Sequence, residues 1–165
     1  MQSIELLRLN LANSTTRTLA RIEDMRDHCT VAPTPRGGGH TLWVLGHLAH
    51  VEGLVIRRFM RGEENPLAAW ESVFDGEEPH AGRDAYPPFD EVLATCRDAR
   101  AWTARHVDSL TEEDLDVPSA NVPTGWESTF GTVRLCVQYV ADHWLMHRGQ
   151  LADARRAAGI ERMWV

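Results

Sequence analysis

Apolar and small residues recur at steps of three and four along four stretches of the chain, and this spacing predicts four long amphipathic helices. The first stretch runs from Ser3 to about Cys29. Residues 32–39 then hold two prolines and three glycines, which end a helix and predict an exposed turn. The second helix is expected to begin near His40 or Thr41, with Thr41 as its N-cap.

A long connection separates the second helix from the third. Residues 61–88 are rich in glycine, proline and acidic side chains, with Trp70 and Phe74 among them, so irregular structure is predicted there. A connection of this length in a compact domain serves as a lid or pocket wall, or else only as a crossover between helices. The proline pair at 87–88 suits the start of the third helix, which is expected to end near Leu110.

The fourth helix is predicted to be the longest, from about Phe130 to Ala158, with Ser128 or Thr129 as its N-cap and Gly159 as its C-cap. Two segments precede it, a capped turn and a proline-containing break: residues 111–115 and 117–125. Four helices with apolar stripes predict an all-α four-helix bundle that forms a single domain over the whole sequence.

Three histidines occupy inward positions that a purely structural bundle would fill with leucine or valine. His47 lies in the apolar stripe of the second helix, three residues after Val44 and four before Val51. His143 and His147 are four residues apart on the fourth helix, so their side chains lie about 40° apart on one face, one turn from each other. The stripe to which they belong consists of Val133, Cys136, Val140, His143, His147, Leu151 and Ala154.

Such a set of imidazoles is a candidate metal site, because facing helices of a bundle build metal sites in its core. Three neutral imidazoles suit zinc, nickel, copper, cobalt, iron or manganese, and three protein ligands leave at least one coordination position for water or substrate. The alternative is that the histidines are structural, hydrogen-bonded core residues or carry only adventitious metal. Burying each imidazole without a partner would cost on the order of 1 kcal/mol or more, which a shared metal ion relieves.

Two segments resemble the DinB superfamily of metal-binding four-helix bundles: WVLGHLAHVE at residues 43–52 and HWLMHRGQL at residues 143–151. The second, with its His-x3-His-Arg-Gly-Gln-Leu run, is the more distinctive. The resemblance implies a divalent metal ion, such as zinc or nickel, held by His47, His143 and His147 in a bundle that commonly forms a homodimer. It also implies a metal-dependent transferase or isomerase that uses a low-molecular-weight thiol such as bacillithiol or mycothiol, or a hydrolase, and it leaves the reaction and the substrate open.

Further side chains near the histidines are candidates for catalysis or for the walls of a pocket. Tyr139, one turn before His143, and His50, beside His47, are the nearest candidates for a proton donor or substrate contact, and packing is the alternative role of each. Four tryptophans could wall an apolar pocket or serve as core and interface residues: Trp43, Trp70, Trp126 and Trp144.

Three other residues of the fourth helix have structural interpretations. Arg148 is rotated about 100° from the ligand face and is expected to form a salt bridge or to contact another helix. Gly149 is expected to allow a close approach of two helices, since glycine lowers helix stability by about 1 kcal/mol relative to alanine. Cys136 lies two turns from His143, about 10 Å along the axis, and is not expected to be a ligand.

Composition narrows the class of partner. The 17 basic and 24 acidic residues give a net charge of -7, which disfavours nucleic acid as a partner. All 17 basic residues are arginine, and the absence of lysine excludes Schiff-base chemistry on that side chain. Cys29, Cys96 and Cys136 are expected to be buried free thiols. The sequence lacks a signal-peptide pattern at its start and any apolar run of about 18 residues. We therefore expect a soluble cytoplasmic protein that acts on a small molecule, without a membrane partner.

Overall fold

The computed structural model describes residues 1–161, in which every regular element is a helix. The α-helices are α1 (Ser3–Leu19), α2 (Thr41–Glu52), α3 (Glu71–Phe74), α4 (Phe89–Asp108), α5 (Glu127–Phe130) and α6 (Val133–Ala157). A π-helical segment, Gly53–Met60, continues α2. Four 3-10 helices lie between the α-helices: Ile22–His28, Ala68–Trp70, Arg83–Ala85 and Glu113–Asp116. The all-α bundle is confirmed, with α1, α2, α4 and α6 as its long helices. Residues 162–165 of the expected domain lie outside the described part of the chain.

The long helices pack around a core at whose centre α2 and α6 contact each other. α1 lies along α6, and α2 lies against both α4 and α6. Two clusters of buried apolar side chains fill the space between them, and their members include Ile4, Leu7, Leu11, Val55, Val137 and Val140 in one, and Trp43, Leu48, Val92, Cys96, Trp144 and Leu151 in the other. Each buried apolar side chain contributes roughly 1.5–3 kcal/mol. The two helices that carry the three histidines, α2 and α6, contribute side chains to both clusters.

The first helix is shorter than its apolar pattern predicts. α1 ends at Leu19, Arg21 adopts the left-handed conformation with φ 54°, and the 3-10 helix Ile22–His28 follows. The buried guanidinium of Arg155 donates to the carbonyl oxygen of Arg21 at 3.0 Å, which holds the chain at the point where the α-helix has ended and the 3-10 helix begins. The predicted end near Cys29 is wrong because apolar residues three apart suit a 3-10 helix as well as an α-helix.

The N-cap of α2 is His40, one residue before the predicted Thr41. The Nδ1 atom of His40 accepts a hydrogen bond from the backbone N–H of Trp43 at 3.1 Å. Thr41 is fully buried in the first turn instead. A ring nitrogen with a lone pair thus replaces the hydroxyl that an N-cap usually supplies.

α6 begins later than predicted, and its cap is Thr132. The backbone is extended at Thr132, and its hydroxyl accepts from the N–H of Leu135 at 3.4 Å. The predicted caps Ser128 and Thr129 are wrong because both residues lie inside the separate short helix α5. The predicted end is off by one residue, since α6 ends at Ala157 and its C-cap is Ala158. Gly159 comes next with φ 73°, a conformation that favours glycine.

A side chain packs closely against the backbone at Gly46, a glycine that the sequence pattern does not single out. A Cβ atom added to Gly149 would have no neighbour within 4 Å, so the predicted close helix approach at that position is wrong. A Cβ added to Gly46 of α2 would instead overlap the ring of Phe74. α3 can therefore press against α2 only because residue 46 has no side chain.

The three cysteines are free thiols, but only two of them are buried. Cys96 and Cys136 lie in the core, whereas Cys29 is half-buried, so the expectation of three buried thiols is wrong for Cys29. That residue follows the 3-10 helix at the turn that leads towards α2, where the chain passes over the surface. Among residues 1–161, each helix is either too short or too polar to cross a lipid bilayer.

Candidate metal centre

The three predicted histidines meet at one point between α2 and α6. The Nε2 atom of His143 lies 3.3 Å from Nε2 of His47 and 3.1 Å from Nε2 of His147. The candidate ligand atoms of the three residues all lie within 4.8 Å of one another. The residues are buried, with exposed fractions of 6%, 8% and 4% for His47, His143 and His147. The structure therefore brings the whole predicted set together.

Hydrogen bonds to the outer ring nitrogens orient two of the imidazoles. The Nδ1–H of His47 donates to the backbone carbonyl of Phe74 at 2.7 Å. The Nδ1–H of His147 donates to Oε1 of Gln150 at 2.8 Å. A carbonyl oxygen can only accept, so Nδ1 carries the proton in both neutral rings and Nε2 carries a lone pair.

The three inner nitrogens fit a metal ion better than they fit one another. With lone pairs on Nε2 of His47 and His147, a single hydrogen on Nε2 of His143 can satisfy only one of them well. A cation that accepts all three lone pairs would satisfy the set, and imidazole nitrogens are preferred ligands of zinc, copper, iron and nickel. The residues present thus fit a transition-metal ion by both the number and the orientation of their donors.

Burial keeps the three imidazoles in the neutral form that binds metal. Loss of hydration lowers the pKa of His47 from 6.5 to about 4, although its hydrogen bond to Phe74 acts in the opposite direction. The same cause lowers the pKa of His143 to about 2, with His147 and His47 adding to the shift. Burial also lowers the pKa of His147, against the effect of Gln150. Protons therefore compete weakly for these ligands near pH 7.

The long connection supplies part of the site. α3 buries the ring of Phe74 against Gly46, and this places its carbonyl oxygen at Nδ1 of His47. On the opposite side, Trp43 stacks on the imidazole of His47 with ring centroids 4.4 Å apart and an interplanar angle of 16°. His47 is thus held by α2 and by the connection together. Of the two roles open for this connection, the structure favours the pocket wall.

A cavity of about 520 Å³ opens directly above the triad and is large enough for a small organic molecule. All three histidines and Gln150 line its floor. Its walls are mostly apolar and aromatic: Val51, Leu54, Val55, Phe59, Pro123, Trp126, Phe130, Tyr139 and Met146. Residues 75–77, immediately after α3, complete the rim. A ligand in this cavity would contact the three imidazoles and an apolar wall at once.

Comparison with known proteins agrees with the observed fold. The sequence profile of the DinB superfamily matches residues 10–151. The chain belongs to the DinB superfamily. Among solved structures, the conserved protein of locus from Enterococcus faecalis is similar over 96% of this chain and 99% of that chain, with a TM-score of 0.62 and 18% sequence identity. That likeness shows the fold alone, and no curated protein matches the chain.

In this DinB-superfamily chain, the two candidate proton donors lie in different places. Tyr139 lines the cavity and stacks on His143, with ring centroids 5.5 Å apart and an interplanar angle of 15°. Burial raises the pKa of Tyr139, so its phenol is neutral at pH 7. His50 is turned away from the triad, and its Nδ1–H donates to the carbonyl of Leu67 at 3.1 Å. The geometry favours Tyr139 as the side chain that meets a ligand.

The other residues singled out in the sequence have mainly structural positions. Of the four tryptophans, Trp126 lines the cavity and is 53% exposed, and Trp43 supports His47; the other two pack elsewhere. The expected contact of Arg148 with another helix is confirmed, because its Nε–H donates to the carbonyl of Arg17 on α1 at 3.2 Å. Cys136 lies outside the ligand group, as expected.

Two groups that accept hydrogen bonds from the triad, Gln150 and the backbone carbonyl of Phe74, were not identified from the sequence. Gln150 follows His147 by three residues, within the distinctive motif of this family, and helical spacing alone places the two side chains on one face. The backbone carbonyl of Phe74 offers no comparable signal, because the sequence around it predicts only irregular structure.

Replacing Gln150 by alanine is expected to weaken metal binding about 10- to 100-fold, the usual effect of removing a hydrogen-bond partner from a ligand histidine. Without Oε1 of Gln150, the ring of His147 loses the contact that fixes its proton on Nδ1. Competition with a chromogenic chelator measures the affinity. Gln138→Ala, on the same helix but outside the cavity, is the matched control and should bind metal as the wild type does. Equal affinities for both variants would show that Gln150 does not orient the ligand.

Proposed function

We propose that this protein binds one divalent transition-metal ion through His47, His143 and His147 and acts as a metal-dependent transferase or hydrolase on a small molecule held in the cavity. The observation that carries the proposal is the convergence of three buried Nε2 atoms at the floor of a 520 Å³ cavity. A closed structural site has four protein ligands, whereas three ligands facing a cavity leave room for a reactant. Zinc and nickel are the metals that we expect first.

The ion would act as a Lewis acid, lowering the pKa of a water or thiol in its open position or polarising a carbonyl group. The chain's own residues bind and orient the reactants. Phe74 and Gln150 fix the rings of His47 and His147, so the ligands are set before a substrate enters. The apolar walls exclude water from the floor of the cavity, which strengthens electrostatic interactions there. The neutral phenol of Tyr139 is positioned to donate a hydrogen bond to a bound substrate.

Family membership supports the thiol-dependent form of this proposal. A thiolate is a good ligand for zinc and nickel, and an open position beside three imidazoles would hold it against the apolar wall. Hydrolysis needs only water at the same position. Both reactions use the same residues, so the choice between them is a question of substrate.

Elemental analysis of untagged protein tests the metal site. Wild type is expected to carry about one metal ion per chain, and His143→Ala and His147→Ala to carry almost none, because two nitrogen ligands bind far more weakly than three. Chelation should lower the melting temperature of the wild type and leave the two variants unchanged. His28→Ala, a change of an exposed histidine, is the control. If all these proteins are metal-free and melt alike, the histidines are core residues and the proposal is wrong.

A second measurement separates an enzyme from a non-catalytic bundle that merely carries metal. Turnover of thiol and ester substrates should disappear on chelation and return when metal is added back. A protein that holds one ion per chain, yet shows no such turnover over a broad panel of substrates, would be the non-catalytic alternative.

A further inference from the structure

The charges around the cavity are all of one sign. Asp75 and Glu77 are the charged side chains that line it, and no arginine of the described chain does so. Within residues 1–161 neither carboxylate forms an ion pair. Arg58 borders a small adjoining cavity with Asp75 but forms no ion pair with it. The rim therefore carries two carboxylates that have no ion-pair partner among residues 1–161.

These carboxylates are held beside the triad by the same contact that orients a ligand histidine. Phe74 is fully buried and accepts the hydrogen bond of His47, and the chain turns immediately after it. Gly76 makes that turn with φ 99°, in the left-handed region that favours glycine, and Asp75 and Glu77 flank it. The hydrogen bond between His47 and the carbonyl of Phe74 thus fixes the backbone just before Asp75 and Glu77.

The wall between floor and rim is apolar. Val51, Leu54, Val55 and Phe59 come from α2 and its π-helical continuation, and Trp126 and Phe130 come from the opposite side. A molecule in the cavity would meet imidazole nitrogens at the floor, hydrocarbon and aromatic surface along the wall, and carboxylates at the exposed rim.

We propose that the substrate is an amine-bearing molecule that places a metal-coordinating group, such as a thiol, at the triad, an apolar segment along the wall and its cationic group beside Asp75 and Glu77. This inference rests on the proposed function and specifies its substrate class. A metal ion at the floor attracts the negative or electron-rich end of such a molecule, and the rim attracts the positive end. Thiols with an anionic distal group are disfavoured by repulsion from both carboxylates.

Three thiols of equal length test the proposal on cobalt-loaded protein: aminohexanethiol, mercaptohexanol and mercaptohexanesulfonate. Absorption from thiolate bound to cobalt reports binding without any turnover. The measured quantity is the affinity for the amine divided by the affinity for the sulfonate. We expect this ratio to be about tenfold higher in wild type than in the double variant Asp75→Asn/Glu77→Gln, since one or two screened charge pairs have an effect of that size. Glu71→Gln/Glu78→Gln removes two charges from the same segment outside this cavity and should keep the wild-type preference. The wild-type preference should also shrink between about 0.02 and 0.5 M salt.

The outcomes separate this inference from the metal site itself. If all three thiols bind and the preference is the same in Asp75→Asn/Glu77→Gln and wild type, or is insensitive to salt, the inference is wrong and the metal site stands. If wild type neither holds cobalt nor shows the thiolate band with any probe, the proposed function fails and this inference fails with it.

Discussion

Replacing Arg100 by methionine is expected to lower the free energy of unfolding by about 3–5 kcal/mol, because it leaves a buried carboxylate without its partner. Arg100 and Glu52 are each 2% exposed, and their Nη2 and Oε2 atoms lie 3.1 Å apart. The Nε1–H of Trp144 donates to the same Oε2 at 2.8 Å, and the guanidinium of Arg100 lies 3.9 Å above the Trp144 ring. The interaction joins α2, α4 and α6. Urea titrations of the two proteins measure the loss.

The pH dependence of this loss identifies its cause. Burial raises the pKa of Glu52, and the charge of Arg100 is the largest opposing influence. Without Arg100 the folded pKa rises further above its unfolded value, so the variant loses stability as the pH rises above about 4.5, by up to about 1.4 kcal/mol per unit. A penalty caused only by poor packing would be the same at pH 5 and pH 8.

The double variant Glu52→Gln/Arg100→Met is the matched control. It removes both charges and keeps an amide oxygen to accept the hydrogen bond of Trp144. We expect it to be more stable than Arg100→Met alone, since replacing a buried ion pair by neutral groups is often nearly neutral in free energy. A double variant at least as unstable as the single one would show that the carboxylate is not the source of the loss.

The ligand set could be predicted from the sequence because helical spacing alone decides which face a side chain occupies. His143 and His147 share a face whatever the helix packs against, and His47 belongs to a stripe of buried residues. The all-α bundle follows from the same periodicity. His50 shows the limit of this reasoning. Its side chain is rotated by only about 60° from that of His47, yet it points away from the triad and contacts Leu67 in the connection between α2 and α4.

The rest of the site depends on contacts between segments distant in sequence. The carbonyl of Phe74 reaches His47 across 27 residues because Gly46 leaves room for its ring, and no local pattern specifies that arrangement. Glu52 and Arg100 look like ordinary surface charges at the edges of two apolar stripes, and only the packing of α2 on α4 buries them together. The end of α1 could not be predicted for the same reason, since the buried Arg155 that binds the carbonyl of Arg21, just after this helix, lies on α6.

Acidification from pH 7 to pH 5 is expected to destabilise the metal-free protein strongly through the triad. The folded pKa values of His47 and His143 are lowered by burial to about 4 and about 2, below the 6.5 of an exposed imidazole. The unfolded chain therefore binds more protons in this window, and stability falls as the pH falls below about 6.5. Between pH 6.5 and 5 each of the two contributes a loss of about 2 kcal/mol, and His147 adds to it in the same direction.

Urea titrations of chelated protein at pH 7 and pH 5 measure this loss, and His143→Gln isolates one contribution. That variant cannot take up a proton at position 143, so its loss between the two pH values should be smaller than that of wild type by about 2 kcal/mol. His28→Gln removes an exposed histidine and should lose as much as wild type does. Because burial lowers the folded pKa of all three ligands, the metal-loaded protein should release its ion together with unfolding as the pH falls below 6.5. A His143→Gln variant with the pH dependence of wild type would contradict a buried, neutral histidine triad.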